Sequence, residues 1–74
     1  PVEEQLFFQY FRLPEPGEEG ELLPAAEILR RIEQRSKIKS GIRNMAMFGR
    51  ILLKNNVVKK HTKTGNYYHV IELP

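Results

Sequence analysis

A mixed α+β fold is predicted by three features of this 74-residue sequence. Apolar residues recur at helical spacing over residues 24–35 and again over 41–55, with a short polar connection between the two stretches. Two runs rich in β-branched and aromatic residues, Val57-Val58-Lys59-Lys60-His61-Thr62 and Tyr67-Tyr68-His69-Val70-Ile71-Glu72-Leu73, then close the chain. Thr62-Lys63-Thr64-Gly65-Asn66 separates them as a hairpin turn, with Gly65 able to take positive φ. Two helices a few residues apart, followed at once by a hairpin, match a helix-turn-helix unit with an attached wing. The expected architecture is therefore a winged helix, formed as one domain over residues 1–74.

The first helix is expected over residues 2–11, where Val2, Leu6, Phe7, Phe8, Tyr10 and Phe11 follow an acidic start at Glu3 and Glu4. These side chains surround most of the helix, so it must be covered on more than one side or touch another part of a longer protein. Pro14 and Pro16 end it, residues 14–20 read as an acidic turn-rich loop, and residues 20–23 allow only a very short strand. Pro24 suits the first turn of a second helix whose packing face is Ala25, Ile28, Leu29 and Ile32. Residues 36–39 form a polar, basic connection, after which Ser40 is the N-cap of the third helix, with Ser36 as the competing cap. On that helix Met45, Phe48 and Leu52 cluster on one side, flanked by Ile42, Gly49 and Leu53, and should be buried against Ile28, Leu29 or Ile32 and one face of the hairpin. Arg43, Met47, Arg50 and Lys54 form the opposite stripe. Gly49 beside the apolar side implies close approach of a neighbouring helix. Asn55-Asn56 supplies the stop, because Asn tolerates a left-handed backbone.

Composition narrows the function. Hydrophobic residues are 41% and charged residues 28%, which is globular, and there is no cysteine for a disulfide or a thiolate zinc site. The lack of cysteine fits a reducing compartment, and a cytoplasmic location is expected. No apolar stretch approaches the ~20 residues of a membrane span. The chain opens at Pro1 without an initiator Met and is read as part of a longer or processed protein. The net charge of +3 is unevenly spread, for residues 1–29 hold seven acidic side chains and one basic, whereas residues 30–74 hold eleven basic and two acidic. A basic half attracts polyanions even when the overall charge is modest.

Several stretches of the chain resemble a known group of domains. They are Phe11-Arg12-Leu13-Pro14 with Gly17-Glu18-Glu19-Gly20, Leu23-Pro24-Ala25-Ala26-Glu27-Ile28, Phe48-Gly49-Arg50-Ile51-Leu52, Lys59-Lys60-His61-Thr62 and Gly65-Asn66-Tyr67-Tyr68-His69-Val70. Together they resemble a small C-terminal domain of Bacteroides proteins related to virulence-associated protein E. More loosely, they are similar to the winged-helix C-terminal domains of phage and plasmid primase-helicases. The resemblance implies a domain appended to a replication-type or mobile-element ATPase that helps it engage DNA, and it brings no active-site residues.

The candidate nucleic-acid contacts are Arg43, Met47, Arg50 and Lys54 on the third helix, Lys59, Lys60, His61 and Lys63 on the hairpin, and Lys37 and Lys39 in the preceding connection. A helix fits the major groove, where Arg reaches guanine edges or phosphates, and the lysines neutralise backbone charge. Strand alternation aims Lys59 and His61 at one face and Lys60 at the other, and it separates Tyr67 from Tyr68. His61 and His69 are too few ligands for a zinc site. With no phosphate-binding loop, zinc helix or paired carboxylates on an ordered element, no enzyme activity, cofactor or small-molecule substrate is expected. Duplex DNA is the expected partner, with the N-terminal helix available to the parent protein and no membrane contact. The competing reading is a protein-interaction module that uses the aromatic first helix and the acidic loop. Because Phe48 stands at the centre of the expected core, Phe48→Ala should lower unfolding free energy by ~3–5 kcal/mol in a urea titration. A loss below ~1 kcal/mol would place Phe48 outside the core.

Overall fold

The computed structural model describes residues 2–39 and 45–74. In chain order these form α1 (Val2–Tyr10), β1 (Phe11–Arg12), β2 (Glu21–Leu23), α2 (Ala25–Ser36), α3 (Met45–Lys54), β3 (Val58–Thr62) and β4 (Gly65–Glu72). The result is a small α+β domain with three helices and an open antiparallel sheet among the described residues.

Apolar periodicity explains the helices. α2 buries Ala25, Ile28, Leu29 and Ile32, the face its spacing defines. Pro24 sits just outside, in extended conformation, and its carbonyl accepts the N–H groups of Glu27 and Ile28. The helix ends at Lys37, whose left-handed backbone (φ 61°) lets its N–H reach the Glu33 carbonyl. α3 buries Phe48, Gly49 and Leu52, and Asn56 (φ 68°) stops it as expected of asparagine. The Asn55 amide donates to Glu4 Oε2 at 2.9 Å, pinning the end of α3 to α1. The expected start of the third helix at residues 41–44 and its Ser40 cap lie outside the described residues.

β4 organises the sheet. β2 pairs with it through Leu23↔Tyr68 to Glu21↔Val70, and β3 through Val58↔His69 to Thr62↔Gly65. Because both use Tyr68 and His69, they must lie on opposite edges. β1 adds Phe11↔Glu72 and Arg12↔Ile71 on the edge away from β2. The layer beneath the helices is closed by Leu23, Val57, Tyr68 and Val70, which join Leu6, Phe7, Phe11, Phe48 and the α2 residues in one core.

Four expectations change. Phe11 leaves the first helix and begins a strand, because pairing with Glu72 lets its fully buried ring stack on Phe7 at 5.5 Å. Met45 is 36% exposed and not buried, since it lies at the mouth of a hollow between the start of α2 and the hairpin. The hairpin turn is shorter than five residues: Thr62 pairs with Gly65, leaving Lys63 and Thr64 at the apex. Thr62 Oγ1 accepts the Thr64 N–H there, and Gly65 takes φ 132°. Finally, the close neighbour of Gly49 is the ring of Tyr68 from β4, not a helix, because a Cβ on Gly49 would stand 2.6 Å from the tyrosine hydroxyl.

That contact decides the outcome of a substitution. Gly49→Ala gains ~1 kcal/mol of helix propensity. It also forces a well-packed ring to move, which typically costs ~1–3 kcal/mol. Gly49→Ala should therefore destabilise the domain in chemical denaturation, while in a Tyr68→Phe background the same change should be neutral or stabilising. Equal effects in the two backgrounds would mean that the hydroxyl does not limit this position.

Candidate nucleic-acid interface

The outward side of α3 carries Ala46, Met47, Arg50, Leu53 and Lys54, all exposed, opposite the buried Phe48 and Leu52. Two of these five are basic and three apolar, with Arg50 at the middle. Arg43, expected on this stripe, lies outside the described residues. At the other end of α2, Lys37 and Lys39 are exposed in the connection.

The hairpin divides into two faces. Lys59 lies opposite Tyr68 and His61 opposite Asn66, so these side chains share the face on which the helices pack. His61 Nδ1 is bonded to Asn66 Oδ1 at 2.7 Å. Asn66 in turn borders the hollow of about 380 Å³ that Met45 and Ala46 share with Tyr68, so the first turn of α3 and the hairpin form one surface. Lys60 lies opposite Tyr67 and shares the outer face of the sheet with Leu22, while Lys63 sits at the apex. His69 is on that outer face too, where its Nε2 donates to the Glu19 carbonyl at 2.6 Å. His61 and His69 thus stand on opposite faces and cannot share a ligand. Among the described residues, no group of three or more potential metal-binding side chains is arranged to hold an ion.

Charge is sorted by element. Arg31 on α2 contacts Glu27 at 2.7 Å, Glu72 at 2.9 Å and Glu21 at 3.3 Å. Arg30 pairs with Glu27. Arg35 holds Glu72, donates to the Leu73 carbonyl at 2.7 Å, and lies 4.7 Å from the centre of the Tyr10 ring. Arg12 grips Glu18 through two bonds of 2.7 and 2.9 Å, fixing the acidic loop. Among the described basic residues of the second half, Arg30, Arg31 and Arg35 are therefore used within the fold. Among the described residues, Lys37, Lys39, Arg50, Lys54, Lys59, Lys60 and Lys63 make no ion pair.

A family profile for DUF3874, described as a domain of unknown function from a B. theta gene, matches residues 1–70. The chain belongs to this family. No curated protein and no solved structure gives a significant match. In this DUF3874 domain no helix among the described residues is long and apolar enough to cross a membrane.

Residue type and alternation located the cations and the two faces of the hairpin. What they missed was Asn66 as the junction with α3, and Leu22 beside Lys60 and Tyr67, because the pairing of β2 with β4 joins residues far apart in sequence. The ion pairs of the DUF3874 domain also set its acid response. The Arg12 guanidinium and then the Glu15 N–H hold Glu18 at about 2 rather than 4.5, and Arg30 followed by Arg31 does the same for Glu27. Both carboxylates are harder to protonate folded than unfolded. Their contribution is present above the ordinary value and is lost as pH falls through the folded one. The melting temperature should therefore fall between about pH 5 and pH 2, and more gently at high salt because these groups are partly exposed. A Glu18→Gln, Glu27→Gln variant should show a shallower fall over the same range. A variant curve parallel to the wild type would rule out this origin of acid sensitivity.

Proposed function

We propose that this domain is a non-catalytic winged-helix module that binds duplex DNA through α3 and the hairpin. The observation that carries the reading is the sorting of charge: the guanidinium groups of α2 serve the fold, while Arg50, Lys54 and the hairpin lysines are left to solvent. The topology supports it as well. β2 lies against the second strand of the hairpin with the first strand beyond, and the helices α2 and α3 intervene in sequence, an order that a helix-turn-helix with a wing would also have. In this reading α3 enters the major groove with Arg50 at its centre, and Lys59, His61 and Lys63 follow the adjoining backbone. Lys37 and Lys39 approach phosphate from the connection. Lys60, on the outer face, contributes field more than contact.

The resemblance to virulence-associated protein E relatives and to primase-helicase tails supports an accessory role beside a replication or mobile-element ATPase. α1 favours a second contact of a different kind. Val2 and Phe8 are 49% and 43% exposed, and Phe8 is held edge-on against buried Phe7, so α1 leaves apolar surface that suits docking against the rest of a parent protein.

Fluorescence anisotropy with labelled duplex at several salt concentrations tests the DNA reading. The domain should bind with a dissociation constant in the ~10⁻⁴–10⁻⁶ M range, little sequence preference and a steep loss with salt. Arg50→Ala with Lys54→Ala should weaken binding about ten-fold or more and reduce the salt slope by about 2, since two phosphate-range cations are removed. A folded wild-type domain that ignores duplex at low salt would remove the proposal. Unchanged binding by the folded variant would move the contact away from α3.

A further inference from the structure

The outer face of the sheet, away from the helices, is itself divided. Under the loop between β1 and β2, a cleft of about 330 Å³ is bordered by Glu15 and Glu18 together with Val58 and His69. Towards the hairpin apex, a second hollow of about 310 Å³ is lined by Leu22, Lys60, Thr62, Thr64 and Tyr67, with no carboxylate. Tyr67 stands on the central strand with Lys60 directly across on β3 and Leu22 on the strand at its other side. Its hydroxyl is bonded to Thr64 Oγ1 at 2.8 Å, and that oxygen to Thr62 Oγ1 at 3.0 Å, so the turn fixes the ring before anything binds.

Resting on the DNA-binding reading, the geometry points to this hollow as a stacking subsite for an unpaired nucleobase, which makes a duplex carrying a single-stranded overhang the preferred ligand. A fixed aromatic ring accepts the π-face of any base, an adjacent ammonium pairs with its phosphate, and threonine hydroxyls meet the polar base edge. Lys60 in the lining, with Lys59 and Lys63 on the same hairpin, favours a polyanion over an apolar or uncharged ligand. Glu15 at the neighbouring cleft, outside the Arg12–Glu18 pair, repels a phosphate backbone, so the strand occupies only the apex end. Since α3 and Lys59 face the other way, duplex and unpaired strand lie on opposite faces of one hairpin.

Three labelled probes test this: a blunt duplex, the same duplex with a short thymidine overhang, and the free thymidine strand. The overhang should tighten binding by about five-fold or more, the range that stacking of one base provides. Tyr67→Ala should erase that gain and leave blunt-duplex affinity unchanged, while Tyr67→Phe, which keeps the ring but loses its bond to Thr64, should retain a smaller gain. In the wild type, the Tyr67 ring resonances should shift on adding the overhang duplex and stay in place with the blunt one, a readout that does not depend on any variant folding. Equal affinity for the two duplexes, or an unmoved Tyr67 ring, overturns the subsite and leaves the duplex reading intact. Failure to bind blunt duplex alongside Tyr67-dependent capture of the free strand overturns the duplex reading and upholds the subsite.

Discussion

Every other strand among the described residues depends on β4 for its backbone partners. β1, β2 and β3 each pair with it and with nothing else in the sheet. An extended segment that loses its partner leaves a row of polar groups to be satisfied elsewhere, and three residues of β2 or two of β1 cannot do that alone. The same strand supplies Tyr68 and Val70 to the core, so hydrogen bonding and apolar burial are tied to one stretch of chain. Gly49 is the concession that α3 makes to it: the helix gives up a side chain so that the Tyr68 ring can lie beneath.

The electrostatic arrangement follows from the same geometry. The C-terminal end of β4 brings Glu72 beside α2, where Arg31 and Arg35 hold its two oxygens, and β2 brings Glu21 to Arg31 as well. Guanidinium suits this work because its fixed fork serves several oxygens at once. Individually such partly exposed pairs contribute little, but they join residues from three elements. Their larger effect is on what remains: a surface whose unpaired cations sit on α3, the connection and the hairpin.

Local signals made much of this legible from residues alone. Ile28, Leu29 and Ile32 at helical spacing, Phe48 and Leu52 one turn apart, Asn56 at a helix end and Gly65 at a turn are all decided within a few residues of chain. Phe11 could not be read in that way, because its strand conformation answers to Glu72 at the far end of the sequence. Met45 carried the right periodicity but lies at the end of the packed stretch, where the neighbouring elements no longer cover it. For the candidate interface, residue type gave the cations and alternation gave their faces. Which arginines are spent inside the fold depended on tertiary pairing that no spacing rule contains, as Arg31 with Glu72 shows.

The position of β4 along the chain has a consequence for biosynthesis. Residues 65–72 are made after every segment that pairs with them. While the polypeptide emerges N-terminus first, α1 and α2 can close their own local hydrogen bonds, but β1, β2 and β3 have no template. Sheet formation therefore waits for β4: β3 joins it through a two-residue turn, while β1 and β2 need large loop closures, the kind of contact that governs slow folding steps. Until then, Phe7, Phe11, Leu23 and Phe48 lack the strand that covers them, so a nascent chain halted before Gly65 exposes apolar surface and becomes a substrate for chaperones.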